Sequence, residues 1–196
     1  MSESLTAIGI SGSPSASSRS RILLEHALNR LANRGVVTGL IDLNELPADA
    51  LLGRSVSAGI ERALAAVGDA DIVVASTPVY RATYAGLLKV FFDLFAHRAL
   101  AGKVGLAIAT GGAPGHQLVL DHGLRPLFAS VGAVVVPTGV YAIDAEFDAG
   151  VPQADVLERI EGAVAESVQL AERSRIQGTA DVLALSPMTL ARTTRP

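Results

Sequence analysis

The stretch Ile72-Val73-Val74-Ala75-Ser76-Thr77-Pro78-Val79-Tyr80-Arg81 decides the reading of this chain. Its apolar first half reads as a strand covered on both faces. It ends in Pro-x-Tyr, which sets a flat ring on a stiff turn. Open α/β sheets keep their ligands at the carboxyl edge of the strands, where this turn lies. A second strand end reads Gly105-Leu106-Ala107-Ile108-Ala109-Thr110-Gly111-Gly112. A third reads Leu5-Thr6-Ala7-Ile8-Gly9-Ile10-Ser11-Gly12-Ser13-Pro14 and runs on into Ser15-Ala16-Ser17-Ser18-Arg19-Ser20.

Short β-type runs begin near residues 5, 36, 71, 103 and 133. That is the roughly 30-residue rhythm of successive βα units. Helical periodicity fills the gaps, over about Ser20 to Asn33, Val56 to Val67, Tyr84 to Phe95, Gly115 to Ser130 and Ala154 to Arg173. Pro47 to Ser55 reads as a turn or loop. The alternation predicts an α/β fold: a doubly wound five-stranded parallel sheet of the flavodoxin-like type, with helices on both faces. The strand order 2-1-3-4-5 follows from fold-class analogy. Residues 1–176 are expected to form this domain. Residues 177–196 lose periodicity and read as a tail, either disordered or packed on a neighbouring subunit.

Composition narrows the function classes. At 196 residues the chain suits one domain with a full core. A net charge of -3 leaves no basic footprint for nucleic acid. Zero cysteines exclude disulfides, thiolate metal sites and cysteine nucleophiles. No apolar run approaches the roughly 20 residues of a membrane span, and the amino terminus lacks a secretory pattern, so a cytoplasmic protein is expected. The four histidines, His26, His97, His116 and His122, show no metal spacing.

The serine-rich loop opens a helix, whose positive end exposes backbone N–H groups. Ser11, Ser13, Ser18 and Ser20 can add hydroxyl donors, and Arg19 can neutralise a phosphomonoester. Rival motifs fail on inspection. No Gly-Lys-Ser/Thr is present for a Walker loop, and Gly9 and Gly12 do not complete G-x-G-x-x-G. Gly9-Ile10-Ser11-Gly12-Ser13 is not a G-x-S-x-G elbow. The plainer reading of Ser18 is a helix cap. Tyr80 can lie beside a planar ligand, and Gly111-Gly112 can bring backbone amides close to ring heteroatoms. Hydroxyls and a cation at one edge, an aromatic at the next and a glycine pair at the third match the outline of flavin mononucleotide, FMN. Asp121-His122 lacks a nucleophile elbow, so no catalytic triad is read there. Pro126 cannot donate to the carbonyl of His122, and Gly123 weakens the helix beside it, so either a π-bulge around His122 or a proline kink is expected.

Ser11-Gly12-Ser13-Pro14 with Ser18-Arg19-Ser20, Thr77-Pro78-Val79-Tyr80 with Gly86-Leu87-Leu88-Lys89, and Ala109-Thr110-Gly111-Gly112 resemble the NADPH-dependent FMN reductase family. The resemblance runs from about Leu5 to Val140. His116 and Asp121-His122-Gly123-Leu124-Arg125-Pro126-Leu127 are similar to the reductases serving two-component alkanesulfonate and methanesulfonate monooxygenases. It implies a homodimer or homotetramer passing hydride from NADPH to FMN, and in the sulfonate-linked members an inserted residue in this helix at the tetramer interface. It implies phosphate contacts at Ser13, Ser18, Arg19 and Ser20, and ring contacts at Pro78, Val79, Tyr80, Thr110, Gly111 and Gly112. Ser11 and Arg81 are grouped with this cofactor-binding set. No catalytic acid or base and no metal is expected, because hydride transfer needs positioning above all. The expected function is an NAD(P)H-dependent FMN reductase supplying reduced flavin to a flavin-dependent monooxygenase, in sulfonate-type sulfur assimilation. Two alternatives share the scaffold: a quinone, azo-dye or metal-ion reductase with tightly held FMN, and a non-enzymatic electron carrier.

Overall fold

In the computed structural model, residues 4–184 are described, with side chains to 175. β1 (Thr6–Ser11) leads through the serine loop into α1 (Arg19–Ala32) and then β2 (Val37–Asp42). The expected loop at Pro47 to Ser55 instead contains the short helix α2 (Ala48–Leu51), which Pro47 opens as its N-cap. Next come α3 (Ala58–Asp69), β3 (Ile72–Tyr80) and β4 (Thr83–Tyr84), which folds back antiparallel on the tip of β3. α4 (Gly86–Phe92) is thus shorter than the helix expected from Tyr84 to Phe95, because Tyr84 belongs to that hairpin.

β5 (Val104–Gly111) is followed by a stretch that is helical as expected, but of three kinds. A 3₁₀ segment spans Pro114–Leu118, a π turn spans Leu120–Leu124, and α5 covers Arg125–Ser130. Of the two alternatives expected around His122, a π-bulge or a proline kink, the π-bulge is the one present. The fifth strand is broken into β6 (Val134–Val135) and β7 (Val140–Ile143), both parallel to β5. Pro137 has no N–H to give a ladder. The freed backbone finds side chains instead: Arg125 donates to the carbonyls of Val136 and Pro137, and Glu166 accepts from the Thr138 N–H. A 3₁₀ turn (Asp144–Glu146), the hairpin β8 (Phe147–Asp148) with β9 (Val151–Pro152), and α6 (Ala154–Ala184) complete the chain. α6 runs past Arg173, where its periodicity was expected to end; the rest of the predicted tail lies outside the described residues.

The sheet order β2-β1-β3-β5-β6, with β7 continuing beside β5, is the predicted 2-1-3-4-5. The fold is flavodoxin-like. Each face carries its own core. Phe91, Phe128, Leu88 and Leu100 fill one side, and Leu23, Leu24, Leu106 and Val164 the other. β3 is buried from Ile72 through Pro78, so its loop is held by a rigid support. Among the described residues no helix is long and apolar enough to cross a membrane.

Candidate functional site: a cleft at the carboxyl edge

The register brings four strand ends to one edge. Ser11 pairs with Ser76, Pro78 with Thr110, and Gly111 with Ile143. Between the loops that follow lies a cleft of about 600 Å³, a size suited to a small ligand. The first loop contributes Ser13, Ser15, Ser17, Ser18 and Arg19, with Ile22 one turn into α1. The second contributes Pro78, Val79 and Tyr80, and the third Thr110, Gly111 and Gly112. Asp144 and Gly150 close it from the far side.

Nine of the sequence-predicted residues therefore line one cavity: Ser13, Ser18, Arg19, Pro78, Val79, Tyr80, Thr110, Gly111 and Gly112. Ser11, Ser20 and Arg81 do not. Ser11 is buried at the end of β1. Ser20 is buried too; its carbonyl accepts from the Ser76 hydroxyl at 2.6 Å, and its hydroxyl shares a 2.7 Å hydrogen bond with that of Ser18. Ser20 thus braces the loop from behind. Arg81 follows Tyr80 on an exposed turn in the left-handed region, with φ 52°.

The helix end is prepared for an anion. Ser18 is the N-cap of α1, with extended backbone, yet its side chain makes no capping bond. The first turn holds no acid and begins with Arg19. The positive end of a four-turn helix and a guanidinium thus reach the cleft together, which costs free energy unless an anion is near. Arg19 finds one in Asp144, at 3.0 Å, and lies 5.7 Å from the centre of the Phe147 ring.

The other two loops are held from below. The Thr77 hydroxyl accepts from the Ala85 N–H at 2.9 Å, closing the turn that carries Tyr80. The Tyr141 hydroxyl donates to the Ala113 carbonyl at 2.6 Å. Burial pushes the Tyr141 phenol up, and Asp144 and Glu146 add to the shift, so it stays a donor. A Cβ on Gly111 would stand 2.5 Å from the Tyr141 hydroxyl oxygen, whereas one on Gly112 would meet nothing within 4 Å. Gly111 serves packing; Gly112 leaves its backbone open to a ligand.

Asp144, Gly150, Ser15, Ser17 and Ile22 were not foreseen. Asp144 had a signal: Tyr141-Ala142-Ile143-Asp144 is a fourth strand end at the same edge. His122 is exposed in the π turn, and Asp121 bonds to Arg125 at 2.8 Å, so these two do not form a catalytic pair.

A phosphate joined to a flat ring fits this cleft. The uncapped helix end and Arg19 suit the phosphate, while Tyr80 and the open Gly112 backbone suit a ring. Residues 5–148 match the sequence model of the NADPH-dependent FMN reductase family. The chain is 36% identical to an FMN reductase (NADPH) of Pseudomonas putida strain KT2440, over 83% of this chain and 84% of that one. It is 40% identical to the NADH-dependent FMN reductase SfnE of Pseudomonas putida, over 87% and 94%. The apo form of the NADH:FMN oxidoreductase EMOB superposes with a TM-score of 0.78 at 35% identity, covering 87% of this chain and 90% of that one. With motifs, topology and relatives agreeing over most of its length, the chain belongs to the NADPH-dependent FMN reductase family of oxidoreductases.

Proposed function

We propose that the cleft binds FMN exchangeably, takes hydride from a reduced nicotinamide, and releases reduced flavin to a flavin-dependent monooxygenase. When bound, FMN supplies a two-electron acceptor for the nicotinamide hydride. The chain's own work is positioning. The helix end with Arg19, Ser13 and Ser18 holds the phosphate. Pro78, Val79 and Tyr80 border one edge of the ring, and Thr110 with Gly111-Gly112 presents backbone amides to it. No lining residue has to move a proton. The carrying observation is that Arg19 is half exposed and held by an equally exposed carboxylate, which keeps the phosphate end of the cleft reachable from solvent. Sulfonate-linked sulfur assimilation, a cytoplasmic setting and a homodimer or homotetramer complete the proposal. The SfnE-type relative supports the monooxygenase link.

NADPH and NADH oxidation by flavin-stripped protein tests it. Turnover should require added FMN, and reduced FMN should reach a separate oxidase through a dialysis membrane. Flavin retained through turnover, with fast quinone reduction, would favour the tightly bound alternative.

A further inference from the structure

Of the described residues lining the cleft, Arg19 is the basic one and Asp144 the acidic one, and they bind each other. They come from opposite ends of the domain. Arg19 is the first residue of α1, and Asp144 opens the 3₁₀ turn after β7.

Asp144 is held in place. Glu146, two residues on, accepts from the Ile143 N–H at 2.7 Å and pairs with Arg159. Arg159 also donates to the Tyr141 carbonyl at 2.6 Å, and Gln153 donates through its side chain to the Ala145 carbonyl at 3.2 Å. The carboxylate that meets Arg19 therefore sits on a braced turn. The nearby Arg21 is engaged by Glu25 and Asp42 and is not a substitute partner.

We propose that Asp144 is an internal competitor for the phosphate of the bound flavin. It occupies Arg19 while the cleft is open and must yield it when the phosphate arrives. This rests on the reading of the cleft as an FMN site. A phosphate at the α1 end meets the same guanidinium that Asp144 holds, so the pair must break before the phosphate can take Arg19. The pair stabilises the flavin-free state and so lowers affinity without touching the ring. The pair is about half exposed on each side, so it is weak enough to exchange. Asp144 thus sets the site for flavin that leaves after reduction, and it acts on FMN but not on riboflavin.

The test is flavin titration and stopped-flow release with Asp144→Asn, Arg19→Gln and the double variant. Asn keeps the size of the side chain and leaves the Glu146 brace untouched. Asp144→Asn should tighten FMN by about three- to fivefold and slow its release by a similar factor, with riboflavin within about twofold. In the Arg19→Gln background the gain should vanish. Unchanged FMN affinity overturns the proposal, and so does an equal gain for riboflavin. A gain that persists without Arg19 also overturns it, because the carboxylate would then repel the phosphate directly. The underlying reading fails separately: Arg19→Gln alone would then leave the preference for FMN over riboflavin unchanged.

Discussion

Under the proposed function, single residues at the cleft divide into those that touch the flavin and those that hold the touching residues still, and Arg19, which lines the cleft, is assigned to the first kind. Arg19→Ala should weaken FMN by about 1.5–3 kcal/mol, the scale of a charge-assisted hydrogen bond, and leave riboflavin nearly unchanged. Isothermal titration with both flavins checks this, and equal losses would move the phosphate elsewhere. The two glycines separate the kinds more sharply. Gly111→Ala drives a methyl against the Tyr141 hydroxyl and breaks its bond to Ala113. It should destabilise the fold by about 1–3 kcal/mol, the cost of stranding buried polar groups. Gly112→Ala meets no protein atom, so unfolding should be unchanged while flavin affinity drops. Normal FMN binding by Gly112→Ala would remove the ring from that backbone. The glycine pair was legible in the sequence, but its division of labour was not. Only the position of Tyr141, from a strand 30 residues further on, decides which glycine is packed.

At the scale of elements, the departures from expectation come from backbone groups that side chains or turns rescue. Periodicity shows where βα units repeat, because burial imposes it. It does not show that Pro137 splits a strand, since the partners Arg125 and Glu166 lie far away in sequence. Nor does it show that Arg81 and Ala82 form a two-residue hairpin with φ 52° and 67°. Such turns favour Asn-Gly, and this one uses neither. Ala82→Gly should therefore stabilise the protein by about 0.5–1 kcal/mol by removing left-handed strain, read as a higher urea midpoint. The π turn at Leu120–Leu124 was legible because Pro126 and Gly123 disturb the helix from within its own sequence. Its extra residue gives the helix a wider turn ahead of Pro126. Deleting His122 would force that proline into a regular α-helix, costing about 3 kcal/mol. Pro126→Ala in the deletion should restore most of the loss, measured by thermal unfolding. A deletion as stable as the parent would mean that the bulge does not serve the proline.

On the whole-molecule scale, α6 straps the cleft edge to the opposite edge of the sheet. Near its start Arg159 holds the Asp144 turn, and in its middle Glu166 caps the strand break. Further on, Arg175 grips Asp71 through two bonds of 2.8 and 2.7 Å, at the foot of β3. Asp71 also accepts from the Thr6 N–H and hydroxyl, so one carboxylate joins β1, β3 and α6. Burial by itself would raise its pKa; the bonds from Arg175 and Thr6 outweigh it and hold the carboxyl below its usual value. The unfolded chain then takes up this proton at a higher pH than the folded one. The stabilisation is complete above about pH 5, where the unfolded carboxyl is ionised, and is lost as pH falls through the lowered folded value. Asp71→Asn should cost about 1–3 kcal/mol at neutral pH, because it removes the charge from the group that accepts two bonds from Arg175 and two from Thr6. The gap between parent and variant should shrink as acid protonates Asp71 in the parent. Urea unfolding of both proteins at neutral pH and at a series of acid values measures that gap. A gap of constant size down to about pH 2 would show that another group carries the acid sensitivity.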